Sequence, residues 1–72
     1  MTARQVLRLI KRRADERGLE VDLEWGKGSH RKVTVGDCQT TVPVHAREDI
    51  GRGLLRQIER DPEPALGERW MR

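Results

Sequence analysis

At 72 residues the chain has room for one domain and one modest core, because a chain of this size buries little more than half of the surface it exposes when unfolded. That excludes a large enclosed catalytic cavity. Charged residues make up 38% of the sequence, yet the apolar residues fall into short periodic runs, so the chain is expected to fold rather than to persist as a solvated tail.

The net charge is only +3, from 15 Lys and Arg against 12 Asp and Glu, which alone is weak support for a nucleic-acid partner. Its distribution is more informative. The segment from Arg4 to Arg17 carries six basic residues against Asp15 and Glu16, and a second basic knot of Lys27, Arg31 and Lys32 surrounds Ser29 and His30. Polyanion contacts are expected at those two places. Cys38 is the single cysteine, so no internal disulfide and no cysteine-rich zinc site can be built, and a reducing compartment is the natural one. No apolar run approaches the roughly 20 residues needed to span a bilayer and no signal-peptide pattern opens the sequence, so a soluble, cytoplasmic protein without membrane contact is expected.

In chain order, Thr2 and Gln5 have capping-box spacing, and Ala3, Val6, Leu7, Ile10 and Ala14 recur along one helical stripe that Gly18 stops. The opposite face, with Arg4, Arg8, Lys11, Arg12 and Arg13, is basic; a solvated helix surface explains it better than base readout. From Leu19 the period changes to two: Leu19, Val21, Leu23 and Trp25 fall on one side and Glu20, Asp22 and Glu24 on the other, predicting a half-buried strand with Trp25 in the core. Gly26 to Ser29 has turn chemistry. A second strand is predicted from about His30 to Val35, with Val33 and Val35 inward and His30 and Lys32 outward. Gly36-Asp37 closes a hairpin into a third strand from Cys38 to Val44, with Cys38 read as a small buried residue and Pro43 marking an edge or an end.

A loop from His45 to Asp49 leads to a second helix, starting near Asp49, on which Ile50, Leu54 and Ile58 repeat every four residues with Leu55 beside them. Asp61-Pro62-Glu63-Pro64 stops it. The expected division is a domain over residues 1–62 and a C-terminal tail over 63–72, either frayed or one helical turn pairing Leu66 with Trp70. Trp70 reads equally as core or as a partner anchor. Two apolar helices and three alternating strands share one core only if both helices cover the same sheet face, giving an α+β fold of order α-β-β-β-α with a three-stranded antiparallel sheet and an open second face.

Gly28-Ser29-His30 leading into a strand, then Val42-Pro43-Val44-His45, then a helix containing Gly53-Leu54-Leu55 and Ile58, resembles the HicA-type mRNA interferases over roughly residues 3 to 60. The sequence departs from that pattern at Gly18-Leu19, where a Gly-Phe pair is common, and at the short Gly36-Asp37 hairpin. The resemblance implies a double-stranded-RNA-binding-like fold, endoribonuclease activity on mRNA carried by His30, inhibition by a HicB-type antitoxin, and repression by the pair of its own operon.

His30 suits that chemistry independently of family. RNA supplies its own nucleophile, the 2′-hydroxyl, so an enzyme need only take that proton, stabilise the phosphorane oxygens and assist the leaving 5′-oxygen. Imidazole side chains do the proton steps, and basic side chains with turn amides do the electrostatic step. Lys27, Lys32 and the backbone of Gly28 and Ser29 are the nearest RNA contacts. Without the motif, His30 reads as an exposed polar residue on the solvent face of a strand; the motif reverses that reading. His45 is a candidate auxiliary for proton transfer or phosphate binding, with loop closure by backbone hydrogen bonding the stronger alternative. Ser29 reads as a turn former rather than a nucleophile, because no acid–histidine relay is visible beside it.

Two histidines without a supporting cysteine pair do not form a zinc site, and no phosphate-binding or dinucleotide fingerprint appears, so a metal-independent enzyme without cofactor is expected. The rival reading is a non-catalytic double-stranded-RNA-binding-like module that recognises RNA or a protein without cutting it.

Overall fold

A computed structural model describes residues 1–26, 28–45 and 48–71, with elements in the order α1 (Ala3–Glu16), β1 (Val21–Trp25), β2 (His30–Val35), β3 (Cys38–Pro43), α2 (Arg52–Arg60) and α3 (Glu63–Leu66). Both ends of α1 are answered locally. The Thr2 hydroxyl accepts from the Gln5 amide at 3.2 Å and the Gln5 side chain accepts from the Thr2 amide at 2.8 Å, so the capping box satisfies two amides at the helix start. At the other end Gly18 takes φ +68, which lets its own amide reach the Asp15 carbonyl and the Leu19 amide reach the Ala14 carbonyl. This is the Schellman arrangement, and the left-handed backbone it needs is why a glycine stands there.

The sheet is an antiparallel meander in the order β1-β2-β3. Gly36 has φ +59 at the first position of the two-residue Gly36-Asp37 loop, the demand of a type II′ hairpin. Register then assigns the faces, since directly opposed residues share one. Val33 opposite Thr40 and Arg31 opposite Val42 lie on the core side; His30 opposite Pro43 and Lys32 opposite Thr41 lie on the other. The core side is covered by the α1 stripe Ala3, Val6, Ile10 and Ala14, joined by Ile58 of α2 and Leu66 of α3 around Val33, Val35 and Val42. The fold is α+β, with the sheet covered on one face and open on the other. Among the described residues no helix is long and apolar enough to cross a membrane.

Residues 63–66 form a short helix, and the chain after it packs inward. Trp70 is buried in the core, its indole N–H donating to the Glu59 carbonyl at 2.6 Å while its own carbonyl accepts from Arg13 Nε at 3.0 Å. The ambiguity over this tryptophan thus resolves to core. Arg13 also meets Glu16 at 3.0 Å, so one member of the basic α1 face ties α1 to the end of the chain.

Four sequence expectations change. Trp25 is 67% exposed and Leu23 43% exposed, because α2 and α3 pack over β3 at the opposite edge of the sheet, and β1 contributes no fully buried residue to the core. Cys38 is half-buried beside the hairpin loop rather than enclosed. The second helix starts at Arg52 with Gly51 as its cap, since Asp49 is bridged to Thr2 and the Ile50 amide donates to the Met1 carbonyl at 2.8 Å, which holds that backbone extended. Of the every-fourth-residue row only Ile58 is fully buried; Leu54 is 41% exposed.

The two tryptophans should therefore differ sharply in stability measurements. Trp70→Ala is expected to cost about 3–5 kcal/mol, as large aromatic truncations in a core do, and Trp25→Ala to stay within about 1 kcal/mol. Urea denaturation of both variants checks this; equal losses would contradict the exposed placement of Trp25.

Candidate active site

The β1–β2 connection fixes the first residue of β2 from two sides. The Gly26 amide donates to the His30 carbonyl at 2.8 Å, and the Val44 amide donates to the Ser29 carbonyl at 2.8 Å, so the turn is stitched to the ends of both flanking strands. Gly28 adopts φ +64, a conformation that side-chain-bearing residues adopt at a cost. At Gly26 a Cβ would lie 3.3 Å from the His30 carbonyl oxygen, tight enough that a larger residue would press on His30 itself. Backbone geometry, rather than side-chain contact, sets where His30 stands.

His30 is exposed on the open sheet face and borders a groove of about 210 Å³ along the β3 edge, facing Gln39, Thr41 and Pro43 of β3 and Leu54 and Gln57 of α2. At the groove's inner end the buried Thr40 hydroxyl donates to Asp61 at 2.9 Å, which ties β3 to the end of α2. An adjoining depression of about 290 Å³ is also lined by His30, and here His45 joins it together with Glu48, Gly51 and Leu54. Two imidazoles separated by a whole strand in sequence thus border one open depression.

The start of α2 forms part of the same wall. Gly51 caps it with no side-chain hydrogen bond, and no acidic residue occupies its first turn. Its first amides therefore keep their donors, and the positive end of the helix is not offset locally. Glu48 and Asp49, three and two residues before Gly51, bring negative charge to the same depression, Asp49 being paired with the N-terminal ammonium at 3.3 Å.

Of the remaining residues singled out from sequence, Lys32 is exposed on the His30 face, with Thr41 opposite on β3 and Glu24 opposite on β1. Ser29 is half-buried and engaged through its carbonyl, in keeping with a turn role, and Gly28 forms the turn beside it. Lys27 lies outside the described residues. Among the described residues no three His, Cys, Asp or Glu side chains gather as a metal-binding group.

Sequence reasoning missed two lining residues, Leu54 and Gln57, and grouped Arg31 with His30 although it lies elsewhere. Leu54 was assigned to the core by its spacing, whereas its partial exposure makes it an apolar wall shared by both depressions. Gln57 lies three residues further along α2, on the same helix face, and that spacing was the available signal. Arg31 is on the opposite sheet face from His30, its guanidinium 4.1 Å from the Trp25 ring centroid and its Nε buried without a hydrogen-bond partner. It braces Trp25 rather than facing the groove.

Residues 3–62, which hold the α1-to-α2 domain and the groove at His30, match the profile described as HicA toxin of bacterial toxin-antitoxin. The chain belongs to the HicA toxin family. It is 40% identical over 38 residues to a probable mRNA interferase HicA of Pseudomonas fluorescens, a match that covers 53% of this chain and 63% of that relative. The chain thus spans less than two thirds of the length of the curated relative it matches. No solved structure matches.

The turn geometry can be tested without an activity assay. Gly28→Ala is expected to destabilise the chain by about 1 kcal/mol through its left-handed backbone, with Gly28→Asn losing less because asparagine tolerates that region. Thermal denaturation of the pair reads this out, and a fully stable Gly28→Ala would show that the positive φ is not required.

Proposed function

We propose that the chain is an endoribonuclease that cleaves single-stranded regions of mRNA in the cytoplasm, and the toxin of a pair whose antitoxin is of HicB type. Family membership supports the class of activity, and the relative's description as a probable mRNA interferase supports the substrate. The observation that carries the site assignment is the convergence of His30, His45 and the uncapped start of α2 on one open depression.

In this reading the 2′-oxygen of the bound nucleotide attacks the adjacent phosphorus as its proton passes to an imidazole. The bond from phosphorus to the 5′-oxygen breaks, and that oxygen leaves with a proton returned by an acid, giving a 2′,3′-cyclic phosphate and a free 5′-hydroxyl. His30 takes the principal proton-transfer role, since the turn holds its backbone at the mouth of the groove. His45 is the auxiliary group, placed to serve the second oxygen. Negative charge on the phosphorane is met by the first amides of α2, by the turn backbone at Gly28 and Ser29, and by Lys27 and Lys32.

Charge also sets the path of the strand. Asp22 and Glu24 on β1 and Glu20 just before it are exposed, so RNA is repelled from that side of the hairpin and follows the β3–α2 side. A shallow groove admits an unpaired strand with its bases turned outward.

His30→Ala is expected to abolish RNA cleavage and growth inhibition while moving the unfolding midpoint little, because an exposed strand residue makes few core contacts. His45→Ala should lose less. Cleavage should persist in chelator, since attack by the 2′-hydroxyl needs no metal-bound water. Undiminished cleavage by folded His30→Ala, measured on a defined oligoribonucleotide, would remove His30 from the mechanism and favour a non-catalytic RNA-binding module.

Inhibition is assigned to masking of the same groove by the HicB-type antitoxin, so antitoxin and a non-cleavable RNA should compete for the chain. Simultaneous binding of both in a fluorescence-anisotropy titration would point instead to a remote inhibitory surface.

A further inference from the structure

The strand that carries no part of the His30 groove is the one with the most unspent surface. β1 is paired only with β2, so alternate backbone N–H and C=O groups along its outer edge have no ladder partner. Four of its five residues are exposed. On the helix side Leu23 and Trp25 continue an apolar groove of about 500 Å³ between α1 and β1, lined by Leu7, Leu19 and Val21 with Arg8 on its helical rim. Arg31 stacks under Trp25 and holds the ring at the end of that row. On the opposite face Asp22 and Glu24 form an exposed acidic row, continued before the strand by Glu20, which also borders the end of the groove, and among the described residues none of the three has an ion-pair partner.

We infer that the outer edge of β1 is a docking edge for an extended segment of another protein in which apolar residues alternate with lysine or arginine. A strand added to this edge has the same period of two as β1 itself. Its apolar residues would lie against Leu23 and Trp25 over the α1–β1 groove, and its basic residues would fall beside the acidic row.

The charge pattern selects this occupant over a second copy of the chain. Pairing β1 with another β1 in an even register sets carboxylate beside carboxylate, and an odd register sets carboxylates beside leucine and tryptophan, so both are penalised. RNA is repelled by the same row. The surface is separate from the groove at His30, which lies on the β3–α2 side.

The test is a nuclear magnetic resonance titration of the full chain with a short capped peptide alternating valine with lysine. Amide shifts are expected to move along Val21–Trp25, and the peptide with glutamate in place of lysine is expected to bind roughly tenfold more weakly or worse, the sum of a few cross-strand pairs. N-methylation of alternate peptide amides should abolish binding by removing the ladder donors. Leu23→Lys, at a position that is 43% exposed, should weaken binding to a similar degree while leaving RNA cleavage at its starting level. Equal binding of the lysine and glutamate peptides, retained binding after N-methylation, or shifts gathered around His30 and α2 would each overturn the inference. Cleavage measured on the same sample keeps the two assignments distinct: a chain that binds the peptide along β1 but cuts no RNA refutes the ribonuclease and leaves the docking edge standing.

Discussion

The double-sided pairing of β2 is the constraint on which the rest of the molecule depends, because among the described residues it is the only strand with a neighbour on each side. Its inward Val33 and Val35 are the floor on which α1 lies, and its pairing with β3 brings Thr40 and Val42 into the same floor. α2 and α3 can then close over β3, with Thr40 bonded to Asp61 and Trp70 bonded back to Glu59 and Arg13. The same strand begins with His30. A residue at the start of a strand paired on both sides inherits the rigidity of the sheet at its backbone while its side chain remains in solvent. Catalytic groups need that combination of a fixed position and free access.

Charge is distributed around this scaffold in a way that separates tasks. β1 carries carboxylates on the open face, β2 carries His30 and Lys32 there, and the β3–α2 side combines Gln39, Thr41 and Gln57 with Asp61, which is bonded to Thr40, and with the start of a helix preceded by Glu48 and Asp49. The carboxylates of β1 have no ion-pair partner among the described residues and repel a polyanion at that edge. Lys32 stands at the divide, with Glu24 opposite it on one side and Thr41 on the other. In the proposed function its contact with phosphate is set against a carboxylate that competes for it, whereas the first turn of α2 carries no acidic residue.

Much of the fold was legible because its rules are local. The Thr2–Gln5 capping box, the Gly18 stop, the limits of β2 and the Gly36-Asp37 hairpin are written in spacing and in residues that tolerate particular backbone angles. What sequence could not supply is which alternating row gains a cover. Leu23 and Trp25 have the period of a buried strand, but the further cover of α2 and α3 falls on β3 at the opposite edge, and α1 alone leaves an open groove beside β1. For Trp70 the sequence left core and partner anchor equally open, and its burial depends on a carbonyl on α2 and an arginine on α1. For the site, the Gly28-Ser29-His30 turn was visible, while the meeting of His30 with His45 and Leu54 depends on where α2 lies beside β3, a tertiary fact.

The small core has a consequence for how such a protein can act. With one layer of apolar contact between helices and sheet, little interior volume is left for enclosing a substrate, and the groove at His30 stays open along its length. An open groove gains little from desolvation, so binding energy must come from a ligand long enough to reach beyond it. A nucleic-acid strand, with a charge at every nucleotide, meets that requirement and a small metabolite does not. On the proposed ribonuclease reading, a macromolecule that covers this open groove is what shuts the site, the role assigned there to the antitoxin.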